Sequence, residues 1–426
     1  MEFSLSSKKS LRGDILIPPD KSLSHRAVMF NSLAEGDAKI SNFLMGEDCL
    51  STISVLKELG VKIKVSGTDV FTYGKGINSL SQPTKVLDVG NSGTTIRLMS
   101  GILAGRDFES TLDGDSSIRK RPMNRIIEPL NKMGAKVSAN NNNENAPIKF
   151  NGGSLDTLNY DLPVASAQLK SSLILAGLRS KNGIIIREKA TSRDHTERLL
   201  SNMGADIITK GLEISVNPSN IESRDITVPG DISSASFWLV AACIHDNAEL
   251  TIRNVGINET RSGIISVLKR MGAYIEFSNK KDYSGEPACD IYVKSSKLIA
   301  TEISGSEIPL LIDEIPIIAL AAVYAEGETK IIDAEELRYK ESDRISLTVN
   351  WMKKAGAVVE ELRDGIIITG NNNLSGGTFS SHGDHRLAMT LGIASLVSKK
   401  KITVKNPEAS NVSYPGFWDY LNDLGD

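Results

Sequence analysis

A helix ending recurs six times along this chain, and it limits the folds open to it. The segments LKELGVKI (Leu56–Ile63), LNKMGAKV (Leu130–Val137), LLSNMGADI (Leu199–Ile207), LKRMGAYI (Leu268–Ile275), MKKAGAVV (Met352–Val359) and LNDLGD (Leu421–Asp426) share one form. Each reads as the last turn of an amphipathic helix, closed by a Gly at or near the C-cap and usually followed by a strand. The glycines, at 60, 134, 204, 272, 356 and 425, recur every 68 to 84 residues.

A second kind of helix interleaves with the first, apolar nearly all round: Ser24–Leu33, Thr94–Ala104, Ala167–Leu178, Ala235–Ile244, Ile315–Tyr324 and His385–Val397. Short strands such as AKISNF, GIIIREK and KITVKN follow these helices. One helix set should be core and the other surface. The predicted unit is strand, buried helix, strand, exposed helix and two more strands. A period this long suits compact α/β units better than a solenoid, whose repeats run ~20–45 residues.

Six such units in 426 residues predict two domains of three, since single cores stop growing near ~250–300 residues. Pro18-Pro19-Asp20 precedes the first apolar helix and Val228-Pro229-Gly230-Asp231 the fourth. The expected domains are 21–227, and 1–20 with 228–426, the N-terminal strand crossing over. A cleft between two such lobes is a preferred place for a small-molecule site.

A net charge of −3 leaves no basic excess, which sets aside general nucleic-acid binding. Cys49, Cys243 and Cys289 are too few and too scattered for a disulfide framework or a zinc site; they read as buried thiols in a reducing compartment. The first residues, MEFSLSSKKSLRGD, lack the apolar core of a signal peptide. No apolar run approaches the ~18 residues of a spanning helix. A cytoplasmic protein without membrane, metal or cofactor is expected.

The chemistry gathers at helix starts. DKSLSHR (Asp20–Arg26), GNSGTTIR (Gly90–Arg97), SIRKRP (Ser117–Pro122), ASAQLK (Ala165–Lys170), YKESDR (Tyr339–Arg344) and GDHR (Gly383–Arg386) stand out. The macrodipole disfavours a cation at such an end by about 0.3–1 kcal/mol. Lys21, Arg26, Arg121, Lys340, Arg344 and Arg386 nevertheless cluster at or near them, so anions are expected between them. Taken singly, each has an ordinary structural reading: Lys21 and Arg26 as surface cations, Asp313 and Ser166 as caps. The turn GNSGTTIRLM is shaped to grip an anion, yet lacks the Gly-Lys-Ser/Thr that closes a nucleotide-binding loop.

DKSLSHR, GNSGTTIRL, SIRKRP, SAQLK, RDHTE (Arg193–Glu197), NETR (Asn258–Arg261), KESDR and DHR, in this order, resemble the 5-enolpyruvylshikimate-3-phosphate (EPSP) synthase family from end to end. The resemblance implies a two-lobed inverse α/β barrel fold, each lobe made of three βαβαββ repeats, with an open-to-closed motion. It implies transfer of the enolpyruvyl group of phosphoenolpyruvate to the 5-hydroxyl of shikimate 3-phosphate by a monomer that needs no cofactor. Ser22 and Arg26 would hold the shikimate carboxylate, and Ser166, Ala167 and Ser192 its phosphate. Lys21, Asp313 and Lys340 would also bind shikimate 3-phosphate, while Gln168 would lie on the ring and reach phosphoenolpyruvate. Arg344 and Arg386 would clamp the phosphoenolpyruvate carboxylate, with Lys21, Gly93 and Arg121 at its phosphate. Asp313 would take the hydroxyl proton, and Glu341 and Lys21 would move the others.

This sequence departs from better-known members at His195, Glu336 and Val412, which replace a tyrosine, an asparagine and a lysine. DKS, SAQLK, RDHTE and NETR look like the glyphosate-tolerant subgroup, whereas Gly93 keeps the small residue associated with inhibitor access. Two rivals share the fold: the transferase acting on UDP-N-acetylglucosamine, and a non-catalytic phosphometabolite binder. The first uses a cysteine on the loop equivalent to Ser117–Pro122, which has none here. The second has no need of the full set Lys21, Asp313, Lys340, Glu341, Arg344 and Arg386.

Overall fold

A computed structural model describes residues 2–371 and 374–424; the sixth recurring glycine, Gly425, lies outside the described residues. The other five close their helices with φ between 89° and 96°, the left-handed region that glycine enters without a Cβ clash.

The chain divides into two compact units, the first Pro19–Val228 with Asp282–Glu286, the second Met1–Pro18, Pro229–Lys281 and Pro287–Asp426. In the first unit, three helices (Lys21–Leu33, Gly93–Leu103, Ala167–Gly177) are buried on nearly every side. A four-stranded sheet accompanies each. The second sheet is typical: Leu87–Asp88 runs parallel to Glu109–Asp113, which pairs antiparallel with Asn145–Asn151, and that strand with Val137–Ala139. Chain order is therefore strand, buried helix, strand, outer helix (Asn124–Lys132), strand, strand. In the first sheet the opening strand is Ile226–Thr227, parallel to Glu35–Ser41, brought from the far end of the unit.

The second unit repeats this plan around Ile232–Ile244, Ile315–Val323 and His385–Val397. Its first sheet opens with Leu11–Leu16, parallel to Ala248–Gly256. Its third departs from the pattern. Gly377–Ser380 and Ile402–Lys405 pair in parallel, and Glu2–Leu5 replaces the expected hairpin by pairing antiparallel with Ile402–Lys405.

Inside each unit the apolar helices pack on one another and form the core with the inner faces of the sheets. Outer helices bury one face only, as Glu47–Glu58 does with Cys49, Ile53, Val55 and Leu56. The buried helices at 21 and 232 begin three residues before their apolar stretches. Polar first turns hid those starts, and capping carboxylates fix them: Asp20 accepts from the Leu23 amide and Asp231 from the Ser233 amide. Among the described residues, no helix is long and apolar enough to cross a membrane.

Two glycines separate close packing from backbone conformation. A Cβ at Gly101 would stand 2.0 Å from the Ser172 carbonyl oxygen, on the neighbouring buried helix; at Gly204 it would meet nothing within 4 Å, at φ +92°. Gly204→Ala should cost about 1–2 kcal/mol from the left-handed backbone alone. Gly101→Ala should cost about 3 kcal/mol or more, because backbone cannot yield as a side chain can. Urea unfolding of the two variants checks the order.

Candidate active site

In the first unit the predicted residues form a linked set at the helix starts. Ser92 caps Gly93–Leu103 by accepting from the Thr95 amide, which leaves Gly93 in the first turn. A Cβ on Gly93 would lie 2.7 Å from Arg121 Nη1 and 3.1 Å from Arg97 Nη1, so two guanidinium groups converge on this backbone. Arg97 donates to Gln168 Oε1 at 2.7 Å, and Gln168 Nε2 donates to Thr94 Oγ1 at 3.1 Å. Arg121 donates to Asn91 Oδ1, and Asn91 to Asp115, which fastens the basic loop to the GNSG turn. Backbone N–H groups at a helix start with two guanidinium groups over them suit a phosphate.

Lys21 sits in the first turn of its helix, half-buried, with Nζ 3.0 Å from Asp48 Oδ2. Arg26, one turn on, is buried and has no carboxylate partner among the described residues. It donates to Thr196 Oγ1 (2.7 Å), Ser171 Oγ (2.9 Å) and the Ser22 carbonyl (3.1 Å). Burial lowers its pKa to about 10, against the raising charges of Glu197 and Asp20. Its three nitrogens thus all donate to neutral acceptors. Ser166 caps Ala167–Gly177, placing Ala167 and Gln168 at its first two positions.

In the second unit a denser set forms. Arg344 is 2 % exposed and binds three carboxylates: Asp384 at 2.9 Å, Glu341 at 2.6 Å and Asp313 at 3.2 Å. Burial opposes its charge, but Asp384, Glu341 and Asp313 outweigh it and hold its pKa above the ordinary value. Lys340 Nζ shares Asp313 Oδ1 at 3.3 Å. Arg386 opens its own helix, where its amide donates to the capping Asp384, and its Nη1 lies 3.6 Å from Glu314 Oε1. Asp313 sits in the turn Ile312–Glu314 ahead of the apolar helix, and no side-chain cap bond forms there. Asp313, Lys340, Glu341 and Arg344 thus form one connected group, with Arg386 joined through Asp384. No cluster of His, Cys, Asp or Glu able to hold a metal occurs among the described residues.

The family model for EPSP synthase (3-phosphoshikimate 1-carboxyvinyltransferase) matches residues 5–421. The chain belongs to the EPSP synthase family. A Bacillus cytotoxicus protein named 3-phosphoshikimate 1-carboxyvinyltransferase is 50% identical over 418 residues, 98% of this chain and 99% of its own length. The Bacillus subtilis protein of that name is 49% identical over 418 residues, 98% of each chain. A solved EPSP synthase from Acinetobacter baumannii superposes with a TM-score of 0.89 at 40% identity, covering all of this chain and 98% of that one.

Two residues of this region already have acidic partners within the protein. The Ser192 hydroxyl is buried and donates to Glu188 Oε1, so its single proton is already committed. His195 is also buried, its Nδ1 2.8 Å from Glu286 Oε1. Both lie on RDHTE and the residue before it; the partner of Ser192 stands four residues upstream, whereas that of His195 is 91 residues further along the chain, where no motif pointed to it. Sequence reading also passed over Arg97 and Lys170, although both stand in quoted motifs. Both fall inside stretches, Thr94–Ala104 and Ala167–Leu178, that read as helices apolar nearly all round. All three cysteines are buried, and the loop before Pro122 carries none.

His25, beneath the first set, carries an acid-sensitive contribution to stability. Its Nδ1 pairs with Thr52 Oγ1 at 2.7 Å, and burial, with the charges of Lys21 and Arg26, holds its pKa well below the usual value. The unfolded chain takes up a proton below about pH 6.5 that the folded chain refuses, so stability falls as pH drops. The stability gap between wild type and His25→Gln should shift against the wild type between about pH 7.5 and about pH 5, by at most about 2 kcal/mol. Urea titrations at both pH values measure this shift.

Proposed function

We propose that this chain transfers the enolpyruvyl group of phosphoenolpyruvate to the 5-hydroxyl of shikimate 3-phosphate, releasing phosphate. The observation that carries the reading is the Gly93 helix start, where the Arg121 and Arg97 guanidinium groups converge on backbone that bears no side chain, a set of donors and charges suited to a phosphate. Family membership over residues 5–421 supports the choice of substrates, and the relatives' printed names match it. We take both residue sets to serve the same pair of substrates.

In this reading Gly93, Arg121 and Lys21 hold the phosphate of phosphoenolpyruvate, and Arg344 and Arg386 its carboxylate. Arg26 with Ser22 receives the shikimate carboxylate, and Ser166, Ala167, Ser192 and Gln168 the phosphate end and ring. Arg344 already carries three carboxylates, so an incoming one must displace a resident. Glu341 is the most exposed of the three, 23% against 15% for Asp313 and none for Asp384. Substrate binding therefore frees Glu341, which places a mobile carboxyl beside the reacting carbons.

The hydroxyl oxygen forms a bond to C2 of phosphoenolpyruvate as Asp313 accepts its proton, while a proton from Glu341 or Lys21 goes to C3. The product of this addition is a tetrahedral ketal phosphate. In the second step the C2–O bond to phosphate breaks, C3 loses a proton and the double bond re-forms. Lys340 steadies Asp313 and the attacked centre. Positioned proton transfer contributes about 10²–10⁴-fold, and orientation of two bound reactants ~7–11 kcal/mol.

Phosphate release with phosphoenolpyruvate tests the reaction. It should appear with shikimate 3-phosphate and not with UDP-N-acetylglucosamine; the reverse overturns the assignment. Asp313→Ala and Arg386→Ala should each lose at least about 10²-fold in kcat/KM with the fold intact, and wild-type turnover in both would refute these residues' roles. Gly93→Ala should leave stability nearly unchanged, since only the far ends of the flexible Arg121 and Arg97 side chains stand in the way. It should raise KM for phosphoenolpyruvate about tenfold, a loss of about 1.4 kcal/mol. Steady-state kinetics with each substrate varied reads that split.

A further inference from the structure

Lys170 is 1% exposed and is the one charged side chain on the helix Ala167–Gly177. Its ammonium has three N–H donors and three acceptors: Glu188 Oε2 at 2.9 Å, Glu197 Oε1 at 2.7 Å and the Ser192 carbonyl at 3.1 Å. Glu188 follows the strand Ile184–Arg187, Glu197 lies in the first turn of His195–Asn202, and Ser192 stands between them. One buried cation therefore pins both ends and the middle of the segment 188–197. The next residue, Ser171, exchanges a 2.6 Å hydrogen bond with Thr196, which also receives Arg26 Nε. Two cations, Lys170 and Arg26, balance two carboxylates, Glu188 and Glu197.

Stability does not explain this arrangement. Replacing a buried ion cluster with well-packed apolar side chains is often neutral or stabilising, and a Met at 170 would suit the helix better than an ammonium. What the ion cluster supplies is register. It fixes Ser192 and its neighbours against the helix start that carries Ser166, Ala167 and Gln168.

We infer that Lys170 is a positioning residue for the phosphate subsite of shikimate 3-phosphate, holding the Ser192 segment in place over the Ser166–Gln168 helix start. The inference rests on the substrate reading above. Glu188 is its second component: it keeps the Ser192 hydroxyl oriented until a phosphate oxygen takes that proton, and Lys170 then neutralises the carboxylate left without it. Lys170 touches no substrate atom in this account.

Lys170→Met leaves two buried carboxylates without the ammonium they share and can fail to fold, so the decisive variant is Lys170→Met combined with Glu188→Gln and Glu197→Gln, which removes the buried carboxylates together with the ammonium. Calorimetric binding of shikimate 3-phosphate and of shikimate, which lacks the phosphate, is compared with that of wild type, alongside kinetics. The triple variant should melt near the wild-type temperature, lose at least tenfold of its preference for shikimate 3-phosphate over shikimate, and keep KM for phosphoenolpyruvate within twofold. A triple variant with the wild-type preference overturns the inference, as does a uniform loss for both ligands, which marks a purely structural role. Wild type that binds shikimate 3-phosphate but releases no phosphate sinks the reaction while the binding comparison still decides Lys170. Wild type with no preference for the phosphorylated ligand sinks both.

Discussion

Burying helices that are apolar all round constrains everything else in this protein. A helix such as Ile232–Ile244, enclosed along its whole length, has no polar face on which to carry chemistry. Its free backbone donors lie at its first turn, where they need acceptors. Side-chain caps meet part of that need at Asp20, Ser92, Ser166, Asp231 and Asp384. The remaining N–H groups and the dipole favour anions, and the cations set around those turns multiply the attraction. Repeating one module thus repeats helix starts of one kind, and cations gather at those of Lys21–Leu33, Gly93–Leu103 and His385–Val397.

The two units prepare their arginines in opposite ways. Arg26 is buried among hydroxyls and a carbonyl, and burial lowers its pKa to about 10. Arg344 is as deeply buried but surrounded by Asp384, Glu341 and Asp313, which raise its pKa despite that burial. An anion gains by reaching the first and must exchange with a resident at the second. The difference assigns them distinct tasks. In the proposed reaction Arg26 would serve as a static receptor, whereas Arg344 would couple arrival of a carboxylate to release of a carboxyl group.

Ion clusters set well inside the units hold these corners in register. Lys170 binds a ten-residue segment to a helix start. In the second unit Arg261 bridges Asp231 and Glu314, at 3.3 and 3.1 Å, and so ties the starts of two buried helices together. Buried pairs of this kind add little net stability, but removing one partner costs about 3–5 kcal/mol. They define geometry at the places where tenths of an ångström matter to bound anions.

The sequence by itself determined the modular plan. Glycine at five helix ends and apolar helices between them follow from local backbone energetics and burial, which act within a few residues and leave a visible period. It also placed Lys21, Gly93, Arg344 and Arg386 at helix starts, and Arg121 and Lys340 in the turns just ahead of them, because caps and turns are short-range signals. It did not determine that Ile226–Thr227 opens the first sheet, or that Glu2–Leu5 completes the sixth module. Strand pairing across hundreds of residues leaves no local trace. Nor could it say that the Ser192 proton is given to Glu188, that His195 faces Glu286, or that Lys170 finds three acceptors. Those facts depend on which side chains share a dry interior, where hydrogen-bond donors and acceptors must be matched in three dimensions, and only the tertiary structure decides the matches.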